Sequence, residues 1–276
     1  MTPEVAEFFR RFVLERSGLV LTPEKDYLLR SRLEPLVRSE RLADLPELML
    51  RIKADPVGRL AQKAVEAMAT HESYFFRDGA PFEQLKTRIL PPLIEARREA
   101  KALRVLCAAA SSGQEPYSLA MLLLEEAHQM PGWTLDILAT DMSEAIVERA
   151  RTGWYSDFEV NRGLSPERLS RFMVRDGAGY RVRPEVSRMV RFRRHNLLEG
   201  VATLGKFDLI LCRNVLIYFD QARKAWVLDR LSEILAPDGC LLLGSAETVV
   251  GLNSRFAPAP GLRGVFTVPQ AQALRA

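Results

Sequence analysis

The chain has 276 residues, is 47% hydrophobic and 27% charged, and carries a formal net charge of +4. That size and balance suit a soluble globular protein of one large domain or two smaller ones, and so mild a charge gives little reason to expect a nucleic-acid partner. No apolar run reaches the roughly 18 residues of a membrane span, and the amphipathic start, PEVAEFFRRFVLERSG, does not read as a signal peptide.

That first stretch repeats apolar residues at three and four and ends at Gly18, which predicts a helix. A second helix is expected from Thr22 as N-cap with Pro23 in its first turn, kinked or divided at Pro35. LPELMLRIKAD and GRLAQKAVEAMA continue the helical pattern, and no strand is expected before residue 100. The period then changes. LRVLCAAA, TLDILATD, MVRFRRHNL, FDLILCRNV and CLLLGSAE are short apolar or β-rich runs, most of them separated by helical stretches at Glu115–Gln129, Ser143–Arg151 and Gln221–Leu235. This alternation predicts an α/β fold, a parallel sheet with helices on both faces, and GLRGVFTV reads as a terminal strand. Residues of about 154–194 do not fit the alternation. They hold a short helix, SPERLSRFM, and a hairpin turning at Asp176-Gly177, and read as a β insertion between the second and third strands. The expected domains are therefore helical over 1–88 and α/β over 89–276.

Cys107, Cys212 and Cys240 are an odd number in separate apolar runs and read as reduced core cysteines of a cytoplasmic protein. His71, His128 and His195 lie in separate segments, so no Cys/His spacing suggests a metal. If Leu103–Ala110 is the first strand, Ser111–Gln114 lies at its carboxyl end, where open α/β sheets bind ligands. Only Gly113 is present where a dinucleotide fingerprint needs three glycines, and the acid Glu115 would repel phosphate, so a cationic or neutral ligand fits better. A carboxylate at a helix N-terminus is equally explained by the helix dipole. Asp141 ends the second strand, where an acid takes ribose hydroxyls; Ser143 is better placed to cap the following helix. Arg213 and Asn214 directly follow a buried strand, which is costly unless they face a site or are fully paired.

Together these segments resemble one family. THESYFFRD, AAASSGQEPYSLAM, ATDMS, FDLILCRNVLIYFD and LAPDGCLLLGSAE occur in the order of CheR, the chemotaxis receptor methyltransferases that use S-adenosylmethionine to methylate glutamate side chains. The resemblance implies a Rossmann-like methyltransferase sheet with a small β insertion, preceded by an all-helical domain. It implies that Arg77, closing the Phe-Phe-Arg motif, lies beside the cofactor, with His71 and Ser73 near it. Glu115 would receive the methionine ammonium, Gly113 would admit the cofactor, Asp141 would hold the ribose, and Asn196 and Leu197 would meet the adenine end. Arg213, Asn214 and Tyr218 match the Cys-Arg-Asn-Val-x-Ile-Tyr motif. Arg77 or Tyr218 would orient the substrate carboxylate. The chain departs from the family pattern at Gln114, Leu106 and His71, which replace an acid, a tryptophan and an asparagine.

A glutamate is already the anion at pH 7, so methyl transfer from a sulfonium needs no general base; this agrees with the lack of a triad, an acid dyad or a metal cluster. The implied partner is the cytoplasmic domain of methyl-accepting chemotaxis receptors, whose acidic methylation helices call for a basic docking face. Arg30, Arg38 and Arg41 are expected on one side of the second helix, opposite Leu29, Leu33 and Leu36, with Arg32 nearer the apolar side. The short RDGAGY turn suggests an enzyme acting without a receptor C-terminal pentapeptide. A monomer is expected, with S-adenosylhomocysteine as product and no nucleic acid or membrane insertion involved. Two other readings are a methyltransferase for RNA or a small molecule, and a cofactor-binding signalling module without catalysis. The mild charge and the missing Asn/Asp-Pro-Pro-Tyr/Phe motif count against the first, and the intact Arg77, Glu115, Asp141 and Tyr218 against the second.

Overall fold

The computed structural model describes residues 1–269, divided between two compact units. One is Met1–His71 with Tyr218–Arg223; the other is Glu72–Ile217 with the chain from Lys224 onward. The division falls earlier than residue 88 because Phe75, Phe76, Phe82, Leu85 and Ile89 are buried in the second unit's core. The last seven residues of the expected α/β domain lie outside the described ones.

The first unit holds helices α1 (Pro3–Ser17), α2 (Asp26–Ser39), α3 (Leu45–Ala54) and α4 (Arg59–Met68). Their ends follow the sequence. Thr2 accepts from the Val5 amide, Asp44 accepts from the Glu47 amide, and Gly18, in the left-handed region, closes α1 with its N–H on the Leu14 carbonyl. Thr22 makes no side-chain cap. Pro23–Lys25 form a short 3-10 turn, and α2 starts only at Asp26. Pro35 neither ends nor divides α2. It and Ser31, whose carbonyl it leaves without a donor, are both exposed, so water can satisfy that carbonyl while Leu29, Leu33 and Val37 hold the buried face. Val37 takes the place expected for Leu36. Arg32 bonds the Met68 and Ala69 carbonyls and Thr70, capping the C-terminus of α4.

The second unit is built on a seven-stranded sheet. Its strands are β1 (Ala102–Ala108), β2 (Thr134–Asp141), β6 (Val190–Arg194), β7 (Phe207–Cys212), β8 (Leu235–Leu243), β9 (Ala257–Pro258) and β10 (Val265–Thr267). They lie in the order β6-β2-β1-β7-β8-β10-β9. The first five run parallel, and β10 is antiparallel to both β8 and β9. The chain winds outward from β1 on one side and from β7 on the other, so the strand order reverses between them. In open α/β sheets that reversal marks the ligand crevice.

The insertion is a second sheet, in the order β3-β5-β4, of β3 (Trp154–Ser156), β4 (Met173–Asp176) and β5 (Gly179–Val182). β4 and β5 are antiparallel, with Asp176 opposite Gly179 and Gly177 at φ 59 in the turn. The insertion stops before residue 194, because Val190–Arg194 pair with β2 as the edge of the main sheet. Its buried residues Tyr155, Val160, Phe172 and Val182 belong to the same core as Leu103, Val105 and Leu119 of the main sheet and its helix.

Candidate functional site

β1 is a buried apolar strand, and the chain leaves it through Ala109 at φ 57, Ser111 at φ 52 and Gly113 at φ 95. Two non-glycine residues at positive φ store strain of about 1–3 kcal/mol each, which the surroundings must hold. The Ala110 N–H donates to the Thr140 carbonyl at 2.8 Å, and the Ser111 N–H donates to Asp141 Oδ2 at 2.9 Å. The Tyr155 hydroxyl, from β3 of the insertion, donates to the Ser112 carbonyl at 2.7 Å. A Cβ on Gly113 would meet that hydroxyl at 3.0 Å, Ala150 Cβ at 3.1 Å and Phe192 at 3.2 Å. On that side, therefore, the missing side chain makes room for protein, whereas the sequence suggested room for a ligand.

Asp141 ends β2 and is buried. Its Oδ2 takes the Ser111 N–H and its Oδ1 takes the Ser143 N–H at 3.1 Å. Ser143 Oγ accepts from the Ile146 amide and so caps the next helix, Glu144–Thr152, leaving Asp141 out of that role. Each Asp141 oxygen accepts one of these amides and keeps capacity for a hydroxyl donor. The His195 N–H donates to the Asp141 carbonyl at 2.8 Å, which brings the residues after β6 alongside. Asn196 and Leu197 are both buried there, and Asn196 Oδ1 accepts from the Leu198 amide at 3.0 Å.

Glu115 stands in the first turn of the helix Gln114–Glu125. Burial pushes its carboxyl above the ordinary range, while Arg213 pulls it back. The Arg213 side chain is 1% exposed; it donates to Glu115 Oε2 at 2.9 Å, to Asp78 Oδ2 at 2.8 Å and to the Arg77 carbonyl at 3.1 Å. The chain itself thus supplies one positive partner for Glu115, and Arg213 is the paired arginine after a buried strand rather than one turned free to a ligand. Arg77 donates to the Glu72 carbonyl at 2.8 Å and packs over the Tyr74 ring. The Nε atoms of Arg77 and Arg213 are buried without a hydrogen-bond partner among the described residues. Gln114, where an acid is usual, is buried and accepts from Ser112 Oγ at 2.9 Å.

Asn214 sits at φ 59. Its N–H donates to Glu247 at 2.8 Å, as do those of Val215 at 2.9 Å, Ile217 at 3.3 Å and Gly244 at 2.7 Å. Glu247 ties the ends of β7 and β8 together, a role that sequence reasoning missed. The only signal was an acid three residues after the glycine that follows a buried strand. Ser73 is half-buried in the second unit; His71 and Tyr218 belong to the first. There the docking candidates Arg30 and Arg38 flank Glu34 at 3.8 and 3.9 Å, and Arg41, expected on the helix, lies exposed beyond its end at φ 55.

The constellation at the carboxyl edge of β1, β2 and β7 is thus a buried acid, Asp141, and a partly buried one, Glu115, around a tight turn of small residues. It is ill suited to phosphate, and its carboxylate acceptors fit a ligand with hydroxyls and a positive charge, as S-adenosylmethionine has.

Two family models match the chain. The all-alpha domain of CheR methyltransferase covers residues 6–69, and its SAM binding domain covers 71–265. A chemotaxis protein methyltransferase of Vibrio parahaemolyticus is 43% identical over 251 residues, 90% of each chain. Chemotaxis protein methyltransferase 1 of Pseudomonas aeruginosa is 42% identical over 254 residues, 91% of this chain and 92% of the relative. The Escherichia coli protein of the same description is 35% identical over 258 residues, 90% and 86%. With both domains matched in order and relatives this similar along nearly their whole length, the chain belongs to the CheR methyltransferase family, whose cofactor is S-adenosylmethionine.

Proposed function

We propose that this chain transfers a methyl group from S-adenosylmethionine to the side-chain carboxylate of specific glutamates in the cytoplasmic domain of methyl-accepting chemotaxis receptors, giving glutamyl methyl esters. The observation that carries the reading is the pair of acids, Asp141 at the end of β2 and Glu115 in the helix that follows β1, at the carboxyl edge of the sheet near the strand-order reversal, within a chain of this family. The cofactor supplies an electrophilic methyl on a sulfonium. A carboxylate oxygen forms the new bond to carbon as the sulfur–carbon bond breaks, and the anion and the cation become a neutral ester and a thioether, with no proton to move.

The residues then bind, orient and exclude water. Asp141 holds the ribose hydroxyls, and Glu115, still paired with Arg213, receives the methionine ammonium. Asn196 and Leu197 border the adenine, Ser73 and His71 lie near the cofactor, and Arg77 or Tyr218 orients the substrate carboxylate. Arg30, Arg38 and Arg41 face the acidic receptor helix. The tight β4–β5 turn supports an enzyme that works without a receptor pentapeptide. The experiment is incubation with methyl-labelled cofactor and receptor cytoplasmic fragments. Label released as methanol by mild base is the expected result, and label that survives base would sink the ester assignment.

A further inference from the structure

The insertion reaches the cofactor turn through one side chain. Tyr155 is 1% exposed, its hydroxyl donates to the Ser112 carbonyl at 2.7 Å, and that hydroxyl lies 3.0 Å from where a Cβ on Gly113 would stand. Its ring meets Phe75 edge-on at 4.9 Å and Tyr117 at 6.2 Å. Tyr117 in turn donates to the Ala150 carbonyl at 2.9 Å. One residue of the inserted sheet therefore touches both the strained turn after β1 and the Phe75-Phe76-Arg77 segment.

Neighbouring contacts run the same way. Arg162 pairs with Glu72 at 2.7 Å and lies over the Tyr74 ring at 4.3 Å. Arg168 stacks on Phe76 at 3.7 Å while its guanidinium makes a two-point pair with Glu125 at 2.9 and 3.0 Å. A Cβ on Gly163 would fall 1.8 Å from the Phe75 carbonyl oxygen.

We infer that Tyr155 is a positioning residue through which the insertion sets the geometry of the cofactor turn. This rests on the proposal that the turn binds S-adenosylmethionine. The physical ground is that a turn with residues at positive φ keeps its shape only where the surroundings over-determine it, and the Ser112 carbonyl has no reason to stay buried once its donor is gone. A turn that must be re-ordered at the moment of binding weakens affinity by the population of its competent form.

The test uses the full-length protein and S-adenosylhomocysteine, with affinity read by calorimetry and turn order by hydrogen exchange of the ligand-free protein. Tyr155→Phe removes only the hydroxyl. It should speed exchange across residues 109–113 and weaken binding about tenfold, the scale of one lost buried hydrogen bond. Phe172→Leu, a core change in the insertion, controls for general loosening. It should lower the melting temperature comparably while leaving exchange in the turn and affinity near wild type. If Tyr155→Phe changes neither exchange nor affinity, or if Phe172→Leu weakens binding equally, Tyr155 has no positioning role. Faster exchange with unchanged affinity also overturns the inference, and then the fault lies in assigning this turn to the cofactor.

Discussion

Single residues carry the sharpest expectations. Asp141→Asn keeps the shape but turns one acceptor into a donor facing the Ser111 or Ser143 N–H, besides removing the charge offered to a ribose. It should weaken S-adenosylhomocysteine binding at least about tenfold by calorimetry, on the scale of a lost charged hydrogen bond. Arg213→Met removes the buried cation that Glu115 and Asp78 share. Breaking one side of a buried ion pair costs about 3–5 kcal/mol, so the melting temperature should fall by roughly 6–12 °C or more in a scanning fluorescence measurement. Asp141 and Glu115 were legible in the sequence because each ends or begins an element whose period was clear. Tyr155 and Glu247 were not. Each meets its partner across a long stretch of chain, and nothing local in WYS or GSAE marks which way the side chain turns. The Arg213 pairing stayed open for the same reason, since its acids come from two other segments.

At the scale of elements, the pattern of strands and helices was readable because buried parallel strands are short continuous apolar runs bounded by turns. The two-residue β9 escaped notice, being too short to show a period and ending in proline. Pro35 misled because proline was read as a helix breaker without knowing that its turn faces water. The insertion depends on one close approach. Gly163 lies at φ 107 with its missing Cβ against the Phe75 carbonyl, so Gly163→Ala combines overpacking with backbone strain. A loss of about 3 kcal/mol or more is expected, read as a lowered denaturant midpoint with an unchanged slope. On α2, Arg30 and Arg38 share Glu34, which halves the free charge the sequence appeared to offer. Arg38→Glu should raise KM for receptor fragments and leave cofactor affinity unchanged. An equal KM would remove α2 from the docking face.

For the whole molecule, pH is an informative variable. His195 is buried, its Nε2 has no partner among the described residues, and its Nδ1 lies 3.6 Å from Glu199. Burial pushes the imidazole below its usual range, opposed by Glu199 and aided by Arg193 and Arg194. The unfolded chain therefore binds a proton more readily than the folded one. The stability this group contributes is complete above about pH 6.5 and is lost as pH falls through the lower folded value. The melting temperature should hold above about pH 6.5 and drop as pH falls from there toward about pH 5, before most carboxylates titrate, and His195→Gln should flatten that drop. The two-unit organisation was visible as a change of period near residue 100. The boundary was not, because segment 72–96 is helical or irregular like what precedes it while its apolar residues serve the other core.

The backbone contact between Gly163 and Phe75 also limits how this protein can be recombined. A hybrid that took the inserted sheet from a relative with any larger residue at that position could not close over the native Phe75 carbonyl. That contact ties residues 154–187 to 72–78, far apart in the chain, and a functional swap of the insertion should carry both.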